Sequence, residues 1–144
     1  LYFCFFRFFF LKERRLFKNR KRPIMIFKSK DQSMEIETKL LRDSKFFNVP
    51  DDPIDRHQNT DFITNHGLII VGYSPEMTGF KNILLTAKDK QIPIIIYAAQ
   101  GAIKQDGDDS KLISSYSYHS ICNVPLRLVN DVFTILSTFP HRGK

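Results

Sequence analysis

The 144-residue chain has few of the residues that build recognisable metal or redox centres. Its two cysteines, Cys4 and Cys122, lie in different parts of the chain, so we expect no disulfide and no oxidising compartment. The four histidines are scattered without paired ligands, which excludes a zinc-finger pattern. The P-loop, the nucleophile elbow and internal repeats are also absent. These absences exclude the function classes with the most direct sequence signatures, namely zinc-finger, P-loop and nucleophile-elbow proteins.

A net basic charge is missing from most of the chain as well, because the net charge of +7 lies in residues 1–22. This head contains eight Lys and Arg and one acid, whereas residues 23–144 contain fourteen basic and fourteen acidic residues. The head also holds seven of the fourteen phenylalanines. Since the rest of the chain has no basic excess, we expect no nucleic-acid partner.

The head is apolar up to Leu11 and basic after it. An apolar run followed by Lys and Arg is typical of a membrane span that ends at the cytoplasmic face, which predicts a membrane-attached cytoplasmic domain. A span needs about 20 residues, so it would begin upstream of Leu1. Two alternatives stay open. The head could be translated non-coding sequence, with the start near Met25, or a basic aromatic arm that binds acidic lipid or nucleic acid.

Residues 23–140 predict one α/β domain in which strands alternate with helices. Apolar runs predict buried strands at 24–27, 68–71 and 93–97, a weak strand at 46–49 and a polar edge strand at 118–122. Helical spacing predicts helices from Asp31 or Ser33 to Ser44, near 54–63, and over 76–90, 109–115 and 125–140. This order predicts a three-layer, doubly wound parallel sheet of five strands, as in flavodoxin-like folds.

Ligands of such sheets bind beyond the carboxyl ends of the strands, which are here followed by the loops 28–33, 72–78 and 98–109. In the first loop, Lys28, Ser29 and Lys30 are candidates for binding phosphate. The alternative is a solvated loop without a ligand.

The second loop contributes Gly72, Ser74 and Glu76 as candidate ligand-binding residues. Gly72 permits a close backbone approach, Ser74 can donate to phosphate, and the start of the next helix favours an anion. The alternative is an ordinary turn, in which Ser74 caps the helix, Pro75 is its first residue and Glu76 lies in its first turn.

Residues 68–80 and 92–98 resemble the receiver domain of response regulators. Pro75, Met77 and Gly79 match the turn of that family, Met-Pro-x-Met-x-Gly, which follows its phospho-accepting strand, and Pro93 and Ala98 match the next strand. The order of elements matches over residues 23–139. The resemblance implies a flavodoxin-like fold and a signalling function.

The chemistry of the family does not carry over to this chain. Val71 stands where the resemblance places the phospho-accepting Asp, and Lys28 and Ser29 stand where it places the acidic pair that holds Mg²⁺. Tyr97 replaces the switch Thr or Ser of the family. The family's Lys, which precedes a Pro after the fifth strand, corresponds to a position near Cys122 and Asn123 in this chain. A hard divalent ion needs carboxylates, so we expect no metal and no phosphorelay.

The same layout is similar to TIR-like and nucleoside-deoxyribosyltransferase-like domains. In those families a helix Glu acts on the ribosyl carbon, after a strand that ends near a Ser. Ser74 matches that Ser, whereas residues 78–88 contain no acid, and Glu76 is the nearest substitute. The resemblance implies a nucleotide- or NAD-cleaving alternative with Glu76 as its catalytic residue.

The sequence therefore predicts a membrane-tethered signalling or ligand-sensing domain that is not an enzyme. Its cofactor is unknown, with a nucleotide as the candidate ligand. Receiver-like domains use their final helix and the neighbouring strand for dimer contacts, so the resemblance also implies a homodimer. The alternative is that this helix packs only on its own sheet.

Overall fold

The computed structural model describes residues 22–30, 32–54, 60–61 and 63–139. In this part of the chain, four strands alternate with four helices, which confirms the predicted α/β class. The elements are β1 (Ile24–Lys28), α1 (Glu35–Asp43), β2 (Leu68–Gly72), α2 (Phe80–Lys90), β3 (Ile94–Tyr97), α3 (Asp108–Ser114), β4 (His119–Cys122) and α4 (Pro125–Thr138).

The four strands form one parallel sheet in the order β1-β2-β3-β4. In its register Val71 lies between Phe27 and Ile96, and all three side chains are fully buried. Strands covered on both faces must be apolar throughout, which explains the unbroken apolar runs of β2 and β3. The outer strand β4 is more polar and more exposed, as predicted for an edge strand.

Helices cover both faces of the sheet, because successive strand side chains point to opposite faces. Ile26, Ile70 and Ile95 pack with α1 and α4 on one face. Phe27 and Val71 pack with α2 and α3 on the other. The predicted three-layer arrangement is confirmed.

The described sheet has four strands, and the predicted strand at 46–49 is not formed. Instead, two isolated bridges lie along the outer edge of β1, one between Pro23 and Asn48 and one between Phe27 and Ile54. Two prolines interrupt the segment between Asn48 and Ile54, and proline lacks the N–H that a ladder needs. The segment therefore pairs only at its two ends.

Helix α2 begins at Phe80, later than the predicted Glu76. Gly79 has φ 86°, a left-handed conformation that separates the preceding turn from the helix. In α4, Leu126 is 73% exposed. The buried residues of α4 are Leu128, Val132 and Leu136.

The predicted helix near 54–63 falls largely on residues 55–59 and 62, outside the described residues, and the predicted end at Pro140 also lies outside them. The head lies outside them too, except for the buried Arg22. Among the described helices, none combines the length and the apolar character that crossing a bilayer requires.

Candidate functional site

The candidate site lies at the carboxyl edge of the sheet, where β1 to β4 end at Lys28, Gly72, Tyr97 and Cys122. Parallel strands bring their carboxyl ends to the same edge. Lys28 and Gly72 are neighbours in the register, and the Ser29 N–H donates to the Gly72 carbonyl at 3.1 Å. The structure therefore brings the first two predicted ligand loops together.

The three residues predicted in the first loop lie in different environments. Lys28 is half-buried, and its Nζ donates to the backbone carbonyl of Gln32 at 3.1 Å. Ser29 is only 4% exposed, and its hydroxyl has no hydrogen-bond partner in the structure. Lys30 is exposed. Lys28 and Ser29 thus line the carboxyl edge, whereas Lys30 faces solvent.

Gly72 is covered by two side chains that sequence reasoning missed. A Cβ atom added at Gly72 would lie 2.6 Å from Gln32 Oε1 and 3.0 Å from Met34 Sδ. Gln32 Nε2 donates to the Tyr73 carbonyl at 3.0 Å, while the buried Gln32 Oε1 has no partner. We call Gln32 and Met34 the cap. The close approach predicted for Gly72 is made here by the protein's own side chains.

Ser74 and Glu76 lie in a turn that is separate from α2. The Ser74 hydroxyl accepts from the Glu76 N–H at 3.4 Å, and Glu76 is exposed. Because α2 begins at Phe80, Ser74 does not cap it and Glu76 is outside its first turn, which contains no acid. The predicted helix start at these residues is therefore wrong, and a ligand role of Ser74 and Glu76 stays a prediction.

Two tyrosines at the carboxyl edge donate to carboxylates on flanking helices. The Tyr73 hydroxyl donates to Asp109 in α3, and the Tyr97 hydroxyl donates to Glu37 Oε1 in α1 at 3.0 Å. Burial first, and then the carboxylate partner, raises the pKa of both phenols well above the ordinary value. Both phenols are neutral donors near pH 7. Sequence reasoning did not assign either tyrosine to the site. The signal that could have found them is an aromatic residue directly after Gly72 and another at the end of β3.

The thiol of Cys122 ends β4 and is buried. Burial, as the largest cause, raises its pKa to about 12, so it carries no thiolate near pH 7. The described residues contain no group of three His, Cys, Asp or Glu side chains that could hold a metal ion. The edge thus combines an ammonium group, a hydroxyl, a carboxamide and neutral phenols, a set suited to hydrogen-bond recognition.

A cleft lies beside α2, away from the predicted ligand loops. This cleft has a volume of about 280 Å³. Its lining includes Thr60, Asn82, Thr86, Asp89 and Lys90. The Thr86 hydroxyl donates to the Asn82 carbonyl and lies 2.7 Å from the Thr60 hydroxyl. The cleft contains none of the residues that the sequence singled out.

The chain matches no model of a known protein family, and no curated protein or solved structure matches it significantly. Its function is therefore inferred from the residues and contacts of this chain.

Proposed function

We propose that this chain is a membrane-tethered cytosolic signalling domain that senses a small anionic ligand, such as a nucleotide, at its carboxyl edge. In this proposal it is not an enzyme, and it performs no phosphorelay chemistry. The supporting observation is the junction of the first two predicted ligand loops, where Lys28 and the unpartnered hydroxyl of Ser29 lie beside Gly72. A buried polar group without a partner is rare, and a ligand group is one way to satisfy it.

We also infer that residues 48–54 are a degenerate fifth strand. Their two bridges place them beside β1 on the side opposite β2, as in the flavodoxin-like strand order. The direction in which successive strands are added to the sheet would then reverse between β1 and β2. Ligands of doubly wound sheets bind at such a switch point, which supports the choice of Lys28 and Gly72 over the cleft beside α2.

The interpretation of this chain as a receiver-like domain without phosphorelay chemistry rests on the resemblance to receiver domains and on the position of Val71. This residue lies at the place of the phospho-accepting Asp and is fully buried against α2 and α3. An apolar core residue cannot accept a phosphoryl group, so signalling would proceed through ligand binding. We therefore expect acetyl phosphate to leave the protein unmodified.

The membrane tether and the homodimer are further parts of this proposal. The order of apolar and basic residues in the head supports the tether. Two apolar side chains are exposed, Ile121 in β4 and Leu126 at the start of α4. They support a contact between two copies of the chain. Sedimentation with vesicles of anionic lipid tests the first part, and light scattering of the eluted protein tests the second.

The ligand function is tested by thermal unfolding of the full chain with ATP, cyclic AMP, NAD and acetyl phosphate, each with Mg²⁺. A ligand that binds only the folded state raises the melting temperature by mass action. We expect one nucleotide to do so, and Lys28→Ala or Ser29→Ala to reduce the shift. Lys39→Ala, which removes an exposed lysine of α1, is the matched control. An unchanged melting temperature with the whole panel would contradict the proposal.

The TIR-like alternative has less support from the described residues. Glu76 is exposed, and the helix that follows it has no acid in its first turn. Incubation with NAD tests this alternative: nicotinamide release that Glu76→Gln abolishes would favour it over the sensing function.

A further inference from the structure

The cap occupies the place where the proposed ligand would bind. Gln32 Oε1 and Met34 Sδ lie so close to Gly72 that no additional Cβ atom fits between them. Gln32 also contacts two polar groups of the edge. Its side-chain Nε2 donates to the Tyr73 carbonyl, and its backbone carbonyl oxygen accepts from the Lys28 ammonium group.

The closed arrangement of the cap contains several unfavourable features. Gln32 Oε1 and Ser29 Oγ are buried without hydrogen-bond partners. Met34 adopts φ 56°, a left-handed conformation that is strained for a residue with a side chain. The Gln32 side chain is held by a single hydrogen bond of its own. Each feature lowers the free energy that is needed to lift the cap without unfolding the sheet.

We propose that Gln32 is a displaceable occupant of a ligand site formed by Gly72, the Tyr73 carbonyl and the Lys28 ammonium group. This inference rests on the proposed function. A ligand that displaces the Gln32 side chain and moves the backbone at Gln32 away from Lys28 must supply what Gln32 now supplies. It therefore carries a hydrogen-bond donor for the Tyr73 carbonyl and an anionic oxygen for Lys28. A nucleotide has both, in its amino or hydroxyl groups and in its phosphate.

The opening of the cap is measured without a ligand, through the reactivity of a thiol placed in it. Met34→Cys in the full chain, with Cys4→Ser, leaves one thiol in the cap and the buried Cys122 in the sheet as an internal reference. Labelling of both sites by a thiol reagent is followed by mass spectrometry. Gln32→Ala removes one hydrogen bond and should accelerate the labelling of the cap thiol about fivefold, with Cys122 unchanged. Gln105→Ala, at an exposed glutamine, is the matched control.

A second reporter covers the case in which Met34→Cys does not fold. Ser29→Cys is close in size to the native residue and removes no hydrogen bond, because the Ser29 hydroxyl has no partner. Equal acceleration at the reporter and at Cys122 would mean global unfolding and would overturn the inference. No acceleration at the reporter would also overturn it.

The nucleotide panel separates this inference from the proposed function. A nucleotide that binds Gln32→Ala about fivefold more tightly than the native chain supports both, because the open state is more populated in the variant. The reporter thiol alone could label faster while neither the native chain nor Gln32→Ala binds a nucleotide. This result would overturn the proposed function and the ligand chemistry, but the cap would still be displaceable. Weaker nucleotide binding by Gln32→Ala would overturn the role of Gln32 as a competitor.

Discussion

Replacement of Gly72 by Ala tests the geometry of the cap directly. The backbone of Gly72 is not among those with positive φ, so alanine can adopt its conformation. The new methyl group would meet Gln32 Oε1 at 2.6 Å and Met34 Sδ at 3.0 Å, and both atoms are near the ends of flexible side chains. We therefore expect the Gln32 carboxamide to move away while the sheet stays intact.

The expected magnitude follows from three contributions. Moving Gln32 breaks its hydrogen bond to the Tyr73 carbonyl, which costs about 1 kcal/mol. Shifting Met34 costs about 1 kcal/mol more, at the low end for an overpacked core. Losing the backbone freedom of glycine in the unfolded state stabilises the variant by about 0.5–1 kcal/mol. Gly72→Ala should thus lower the free energy of unfolding by about 1–1.5 kcal/mol.

A double-mutant cycle with Gln32→Ala isolates the contact, with chemical denaturation as the assay. Without the Gln32 side chain, the first contribution disappears and Gly72→Ala should be nearly neutral. The coupling is then about 1 kcal/mol. Gly101→Ala is the matched control, because its φ of 82° brings strain while its Cβ would contact nothing within 4 Å. Its effect should be the same in both backgrounds. Additivity of Gly72→Ala and Gln32→Ala within about 0.3 kcal/mol would refute the geometry.

Three further predictions concern the core, the pH dependence and a buried phenol. Ile70→Ala should lower the free energy of unfolding by about 2–5 kcal/mol because it empties a fully buried site, whereas Ile36→Ala, at a 67% exposed residue, should change it by under about 0.5 kcal/mol in the same denaturation assay. Burial, and then a nearby lysine, lowers the pKa of His66 below 6.5, so the unfolded chain binds more protons and stability should fall as pH drops through 6.5 towards the lower folded pKa. Unfolding curves from pH 7.5 to 5 should show this loss of stability in the native chain and in the control variant Asn65→Ala, which changes an exposed neighbour. In His66→Asn the pH dependence should be weaker. An unchanged pH dependence in His66→Asn would mean that another group causes it. Tyr97→Phe should cost about 1 kcal/mol by removing a hydroxyl that donates to a helix carboxylate, and an unchanged midpoint would show that the bond contributes nothing.

Local sequence patterns were sufficient to predict most of the elements. The unbroken apolar runs predicted β2 and β3, because only a strand covered on both faces can be apolar throughout. Pro125 predicted the start of α4, because proline suits the first turn of a helix. The same patterns misplaced the start of α2, since Ser74, Pro75 and Glu76 form an equally good helix start that the chain does not use.

The sequence by itself thus determined the parallel α/β class and the meeting of the loops that begin at Lys28 and Gly72, since carboxyl ends of parallel strands share one edge. Only the tertiary structure decided what fills that edge. The Gln32 amide reaches a carbonyl 41 residues away, and the Tyr97 hydroxyl reaches a carboxylate 60 residues away. Such contacts join residues with no fixed spacing along the chain, so they leave no periodic pattern. Their geometry arises only when the strands and helices pack.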